Sequence, residues 1–272
     1  MGRVSSEMSI PVGRPEWEQN LILVAIGLVA GLSSGLFGVG GGTIVVPTLI
    51  TFAAFQPKLA SGTSLAVIIP LASVGVISYA LNDSVSWIAA LLIASGAIFG
   101  ARVGAWTLTK VAQKPLQIGF SFIMMVAVVS MFIVIPSRDA VLEISFWSGV
   151  GLVGLGLLTG FLAGLLGVGG GLVVVPALMI FFGASDLVAK GTSLLMMIPS
   201  ALVGTWANTK SGNVDLKAAL IVGVSASLTA FLGSKFAMYV SPLVANMLFA
   251  AFMTILAVRL FITAAFLRNK GA

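Results

Sequence analysis

The chain has no cysteine and no histidine, and only 8% of its 272 residues are charged. Without cysteine there can be no disulfide, thiol nucleophile or thiolate metal site. Without histidine the commonest general base and the commonest metal ligand are missing. Carboxylates are scarce as well: Asp83, Asp139, Asp186 and Asp215 read as loop residues and Glu143 as a boundary residue, so none is expected well inside an apolar run. A hydrolase needs a base beside a nucleophile, or a metal. The chain is therefore expected to be no enzyme, with no catalytic residue, metal site or cofactor. It also offers no obvious proton relay, although a transported anion could carry its own proton. A soluble domain carries about 25% charged residues, which excludes that class. The net charge of +6 does not mark a nucleic-acid binder, because the cations stand singly between apolar segments with no basic stripe.

What remains is apolar. Hydrophobic residues make up 59% of the chain, in runs long enough to cross a lipid bilayer at about 20 residues each. Breaks in hydrophobicity give ten segments: 20–37, 43–55, 62–81, 86–109, 115–136, 145–166, 172–183, 191–209, 214–238 and 243–267. The second and seventh, at about 13 residues, cover roughly 20 Å of a hydrocarbon core about 30 Å thick. At least one end of each must then lie inside the membrane, shielded by protein. The first twenty residues mix charges with Pro11 and Pro15, lack the apolar centre of a signal peptide and read as an aqueous arm.

The chain repeats itself. Gly38-Val39-Gly40-Gly41-Gly42 recurs 129 residues later as Gly167-Val168-Gly169-Gly170-Gly171. The offset also joins Pro47 to Pro176, Gly62-Thr63-Ser64-Leu65 to Gly191-Thr192-Ser193-Leu194, and Pro70 to Pro199. Duplicated apolar units with matching glycine and proline breaks mark membrane transporters. The expected organisation is an N-terminal arm (1–20), a first repeat (21–136), a linker (137–149), a second repeat (150–265) and a tail (266–272). The fold class is all-α integral membrane, with about ten transmembrane or half-membrane helices in two five-segment repeats.

Five segments per half predicts an inverted repeat. With the amino end inside, inner loops carry Arg3, Arg14, Lys58, Lys110, Lys114, Lys210, Lys217, Arg268 and Lys270, and outer loops only Arg138 and Lys190. That bias places both termini in the cytoplasm. Four spans per half with re-entrant glycine loops keeps both ends inside but makes the repeats parallel.

Glycine recurs every fourth residue at Gly27/Gly31/Gly35, Gly156/Gly160/Gly164 and Gly96/Gly100/Gly104, the last answered by Ser225, Thr229 and Gly233. Such faces let helix backbones approach closely and build the bundle or a homodimer. The triple glycines Gly40, Gly41, Gly42 and Gly169, Gly170, Gly171 break a helix and leave amides unpaired. They are either cavity-lining breaks offering amides to a ligand or tight turns where helices cross. They follow an apolar helix and lack the spacing of a nucleotide fingerprint.

Gly62-Thr63-Ser64 and Gly191-Thr192-Ser193 are expected to open segments three and eight. There they would act as ordinary caps or as two helix amino ends forming a central anion site. Arg102 and Lys235 lie inside spans on equivalent helix faces, as substrate charges or as snorkelling cations. Asn82 and Asn208 are weaker candidates.

The paired glycine phrases with Val45-Val46-Pro47 and Val174-Val175-Pro176, and the two Gly-Thr-Ser triplets, resemble the sulfite exporter TauE/SafE family over nearly the whole chain. The resemblance implies movement of small sulfur-containing anions, such as sulfite, sulfoacetate and related organosulfonates, across the bacterial inner membrane. It implies no catalytic residues. The expected function is a secondary transporter that exports such an anion by alternating access between the repeats. A passive anion channel would use the same donors. Arg102→Ala or Ser193→Ala is expected to abolish flux.

Overall fold

The computed structural model describes residues 15–112 and 145–241 continuously, with helical residues scattered through 115–129 and 243–262. Most of the expected arm and linker, and the whole tail, lie outside the described residues, as do parts of segments five and ten. Eight helices are continuous: α1 (Glu16–Phe37), α2 (Gly42–Phe52), α3 (Pro57–Ala80), α4 (Trp87–Lys110), α5 (Phe146–Leu166), α6 (Gly171–Phe182), α7 (Asp186–Lys210) and α8 (Leu216–Tyr239). No strand occurs among the described residues. Six of these helices are long and apolar enough to span a membrane. The other two, α2 and α6, have 11 and 12 residues, close to the short segments expected from sequence. Helix α1 begins at Glu16, with Glu16 and Glu18 in its first turn, where carboxylates suit the positive end of the helix dipole.

The repeats interlock rather than sit side by side. Helix α1 packs on α8, and α4 packs on α5. A Cβ on Gly27, Gly31 or Gly35 would strike the carbonyls of Val222, Ala226 and Ala230; one on Gly156, Gly160 or Gly164 would strike those of Ile93, Ala97 and Ala101. The two sets are related by the same offset of 129 residues. The glycine faces are thus used within the chain, each against the other repeat. Lipid tails are as apolar as leucine, so van der Waals contact between close backbones drives this association. The offset that links the two glycine phrases in sequence thus also links these two sets of contacts.

Helices α3 and α7 cross at the centre. Leu65 packs on Gly204, and Leu194 packs on Gly75. The lower number on one helix meets the higher on the other, so α3 and α7 run antiparallel. Halfway between these contacts stand Pro70 and Pro199, one inside each helix. The α1–α8 and α4–α5 contacts rise together in number, so those pairs run parallel.

Charge and tryptophan mark the ends of the bundle. Lys58 Nζ donates to the carbonyl of Thr109 at 3.1 Å, which puts the start of α3 beside the end of α4. Lys217 lies 3.8 Å from Glu16, joining the starts of α8 and α1. Lys58, Lys110, Lys210 and Lys217 therefore share one end, hereafter the lysine end. Trp17, Trp87, Trp106, Trp147 and Trp206 are all exposed and lie near helix ends, as interfacial aromatics do. On α4, Trp87 and Trp106 are nineteen residues apart, about 29 Å of helix, close to the thickness of a hydrocarbon core. Lys110 and Lys210 sit 3.5 and 3.6 Å from the ring centroids of Trp106 and Trp206.

Candidate functional site

The two glycine phrases meet at the centre of the bundle. Gly38–Gly42 and Gly167–Gly171 are buried throughout. Gly38, Gly40, Gly41, Gly167, Gly169 and Gly170 all have positive φ, a backbone state that side chains resist. The phrases touch: a Cβ on Gly42 would lie 2.8 Å from the carbonyl carbon of Val168, and one on Gly171 would lie 2.9 Å from the Cα of Val39. Met197 packs against Gly40, Gly169 and Gly171, and Ile68, its counterpart by offset, packs against Gly169. Both side chains are fully buried, so the centre is closed.

The amino ends of α2 and α6 therefore point into this centre. Their N-caps, Gly41 and Gly170, supply no side-chain hydrogen bond. The first amides of a helix have no intrahelical partner and carry partial positive charge. Two short helices thus start at the middle of the bundle with amides that no side chain caps.

Thr63, Ser64, Thr192 and Ser193 do not open their helices. Helix α3 starts at Pro57, with proline at a position that needs no donor. Helix α7 starts at Asp186 behind Ser185, whose hydroxyl accepts from the Val188 amide. The hydroxyl pairs lie in the second turn, fully buried, and pin one repeat to the other. Ser64 donates to the Gly167 carbonyl at 2.8 Å and Ser193 to the Gly38 carbonyl at 2.9 Å. Thr63 accepts from the Asp215 amide and Thr192 from the Ser86 amide, both at 2.9 Å. Gly62 packs on the Asn213 carbonyl and Gly191 on that of Ser84. The anion-attracting helix ends at the centre belong to α2 and α6 instead.

Arg102 is exposed on α4, one turn before Trp106, and Lys235 is half-buried on α8, 5.7 Å from the Phe231 ring. Neither lies at the glycine centre. Asn82 and Asn208 donate to carbonyls one turn back in their own chain segment, Ser78 at 2.8 Å and Gly204 at 2.9 Å. An apolar recess of about 290 Å³ beside α6 is lined by residues such as Leu158, Leu162, Pro176 and Phe181, which suit acyl chains rather than an anion.

One pair was misread from sequence. Asp186 and Lys190 were expected in loops, yet both lie in the opening turns of α7. Their carboxylate and ammonium are 3.2 Å apart, with side chains 2% and 6% exposed. Ser185 before Asp186 was the available signal, since a serine N-cap followed by an acidic residue starts a helix. Among the described residues no cluster of metal-ligating side chains occurs.

An all-helical, duplicated bundle with two interrupted helices meeting at its buried centre defines a multi-pass membrane protein. The chain belongs to the sulfite exporter TauE/SafE family, whose profile matches residues 4–132 and 152–271. It is similar to the probable membrane transporter protein YunE of Bacillus subtilis, 29% identical over 72% of this chain and 80% of that one. A probable membrane transporter protein of Methanocaldococcus jannaschii is 28% identical over 81% of this chain and 87% of its own length. YdhB, another probable membrane transporter protein of B. subtilis, is 24% identical over 84% and 99%. No solved structure matches the chain significantly. The chain is thus a membrane transporter of the TauE/SafE type.

Proposed function

We propose that this protein is a secondary carrier, not an enzyme, that exports a small anion, sulfite or an organosulfonate, across the cell's inner membrane. The observation that carries the proposal is the facing pair of helix amino ends, α2 and α6, opening at buried glycine breaks with no side-chain cap. Amides in such an arrangement favour negative charge. The amides around Gly40–Gly42 and Gly169–Gly171 would hold the anion. The hydroxyls of Thr63, Ser64, Thr192 and Ser193 would fix the geometry between repeats.

The antiparallel crossing of α3 and α7 supports inverted repeats that exchange roles by rocking. The gathering of Lys58, Lys110, Lys210 and Lys217 at one end supports a cytoplasmic lysine end, with both termini on that side. Met197 and Ile68 fill the space between the breaks, which favours a carrier over an open channel. The exposure of Arg102 beside Trp106 favours a snorkelling anchor over a substrate charge.

The test is flux in proteoliposomes loaded with sulfite, sulfoacetate, taurine or sulfate. A carrier shows saturation and faster exit when the same anion waits outside. Linear, unstimulated flux would identify a channel, and no flux of any of these anions would overturn the proposal.

A further inference from the structure

The match between the repeats is broken around one glycine phrase. Ser34, Thr43 and Ser78 are fully buried, and among the described residues their hydroxyls have no hydrogen-bond partner. At the matching positions in the second repeat stand Ala163, Leu172 and Ala207. The buried pair Asp186 and Lys190 is answered by Pro57 and Ser61, and Tyr79 by Asn208. Three unpartnered hydroxyls and an ion pair thus lie on the Gly38–Gly42 side, where the matching positions hold alanine, leucine, proline and serine.

The charged pair touches that first phrase. A Cβ on Gly38 would lie 2.5 Å from both the Cα and the Cβ of Lys190. Tyr79 packs on Gly191, next to Lys190, and donates its hydroxyl to the Gly35 carbonyl at 2.7 Å. Ser61 packs on Gly167 in the mirror position, so a small neutral residue fills the same niche. The architecture does not need a charge there. A buried ion pair is commonly no better for stability than neutral packing, and an ionisable group within a membrane protein's span is a functional candidate. Lys190 also sits in the second turn of α7, where its charge adds to the positive end of the dipole. The Asp186 carboxylate lies 3.2 Å from the ammonium.

We propose that Lys190 is the cation that receives the transported anion at the end of the bundle opposite the lysine end, and that Asp186 holds the ammonium until the anion displaces it. The proposal rests on the transporter reading above, and the positions that match Lys190 and Asp186 in α3 carry Ser61 and Pro57 instead. Anion and carboxylate compete for one partner, so removing the carboxylate strengthens anion binding and removing the ammonium abolishes it.

The experiment uses the purified full chain in proteoliposomes, with sulfite as probe, and compares wild type, Asp186→Asn, Lys190→Arg and the double variant Lys190→Gln/Asp186→Asn. The double variant removes both charges of the pair together and should melt near wild type. Its sulfite flux and its thermal stabilisation by sulfite should fall at least about tenfold, the worth of one charge-assisted hydrogen bond. Asp186→Asn should lower the half-saturating sulfite concentration several-fold, a shift that a purely structural role would not produce. Lys190→Arg should retain flux. Wild-type flux and half-saturation in the double variant would overturn this proposal and leave the transporter standing. Absence of sulfite, sulfoacetate, taurine and sulfate flux in wild type would overturn both. Should the double variant fail to accumulate, the half-saturation of Asp186→Asn decides, and an unchanged value overturns the proposal.

Discussion

Ser64 donates its hydroxyl to the carbonyl of Gly167 at 2.8 Å, and its counterpart Ser193 does the same to Gly38 at 2.9 Å. Each bond joins a second-turn hydroxyl of one repeat to the glycine that ends a helix of the other. The breaks are therefore tied to the partner repeat as well as to their own helices, through the bonds from Gly38 N–H to Ser34 and from Gly167 N–H to Ala163.

Ser64→Ala and Ser193→Ala each strand a buried carbonyl, at a cost of about 1–3 kcal/mol. The two bonds share no residue, so the double variant should lose about the sum. Thermal melting of the purified protein checks this. A double variant no worse than either single would show that the bonds act as one network.

Glycines on the packed face of α5 should behave differently from one off it. A Cβ on Gly160 would lie 2.5 Å from the Cα of Ala97, whereas one on Gly154 meets nothing within 4 Å. Gly160→Ala should prise α4 from α5 and sharply lower the melting temperature. Gly154→Ala should be neutral or slightly stabilising, since alanine is the better helix former. Equal melting of the two variants would contradict the close α4–α5 packing.

Gly40→Ala and Gly169→Ala place a side chain where φ is +74° and +82°. That backbone state costs a non-glycine residue about 1–2 kcal/mol, and at each site the new methyl also crowds Met197. Both variants should reach the membrane yet lose most anion flux. Flux at wild-type rate in both would mean that the breaks neither bind nor bend.

The absence of native cysteine makes topology directly measurable. Single cysteines at Lys58, Lys110 and Lys210 should react with an impermeant maleimide only from the cytoplasmic side. Cysteine at Asp83, in the loop between α3 and α4, should react from the opposite side. Labelling of all four from one face would rule out the inverted arrangement.

Sequence alone determined the membrane class, the duplication, the two short helices and the close-packed glycine faces. These follow from composition and from spacing along one chain, which hydrophobicity and helix geometry translate directly. A glycine stripe says that some backbone comes near; it does not say whose. Only the tertiary structure decided that Gly27, Gly31 and Gly35 meet α8 and that α3 crosses α7 head to tail. The same limit explains the misplaced helix starts. Polar and charged residues at 57–64 and 186–193 read as loop and cap because local rules assume that water takes up their polarity. In the folded chain the other repeat takes it up instead, burying Thr63, Ser64, Thr192 and Ser193 in bonds between the two halves. It also packs Lys190 onto Gly38. Burial is a property of what lies opposite, and that partner is more than a hundred residues away in the chain.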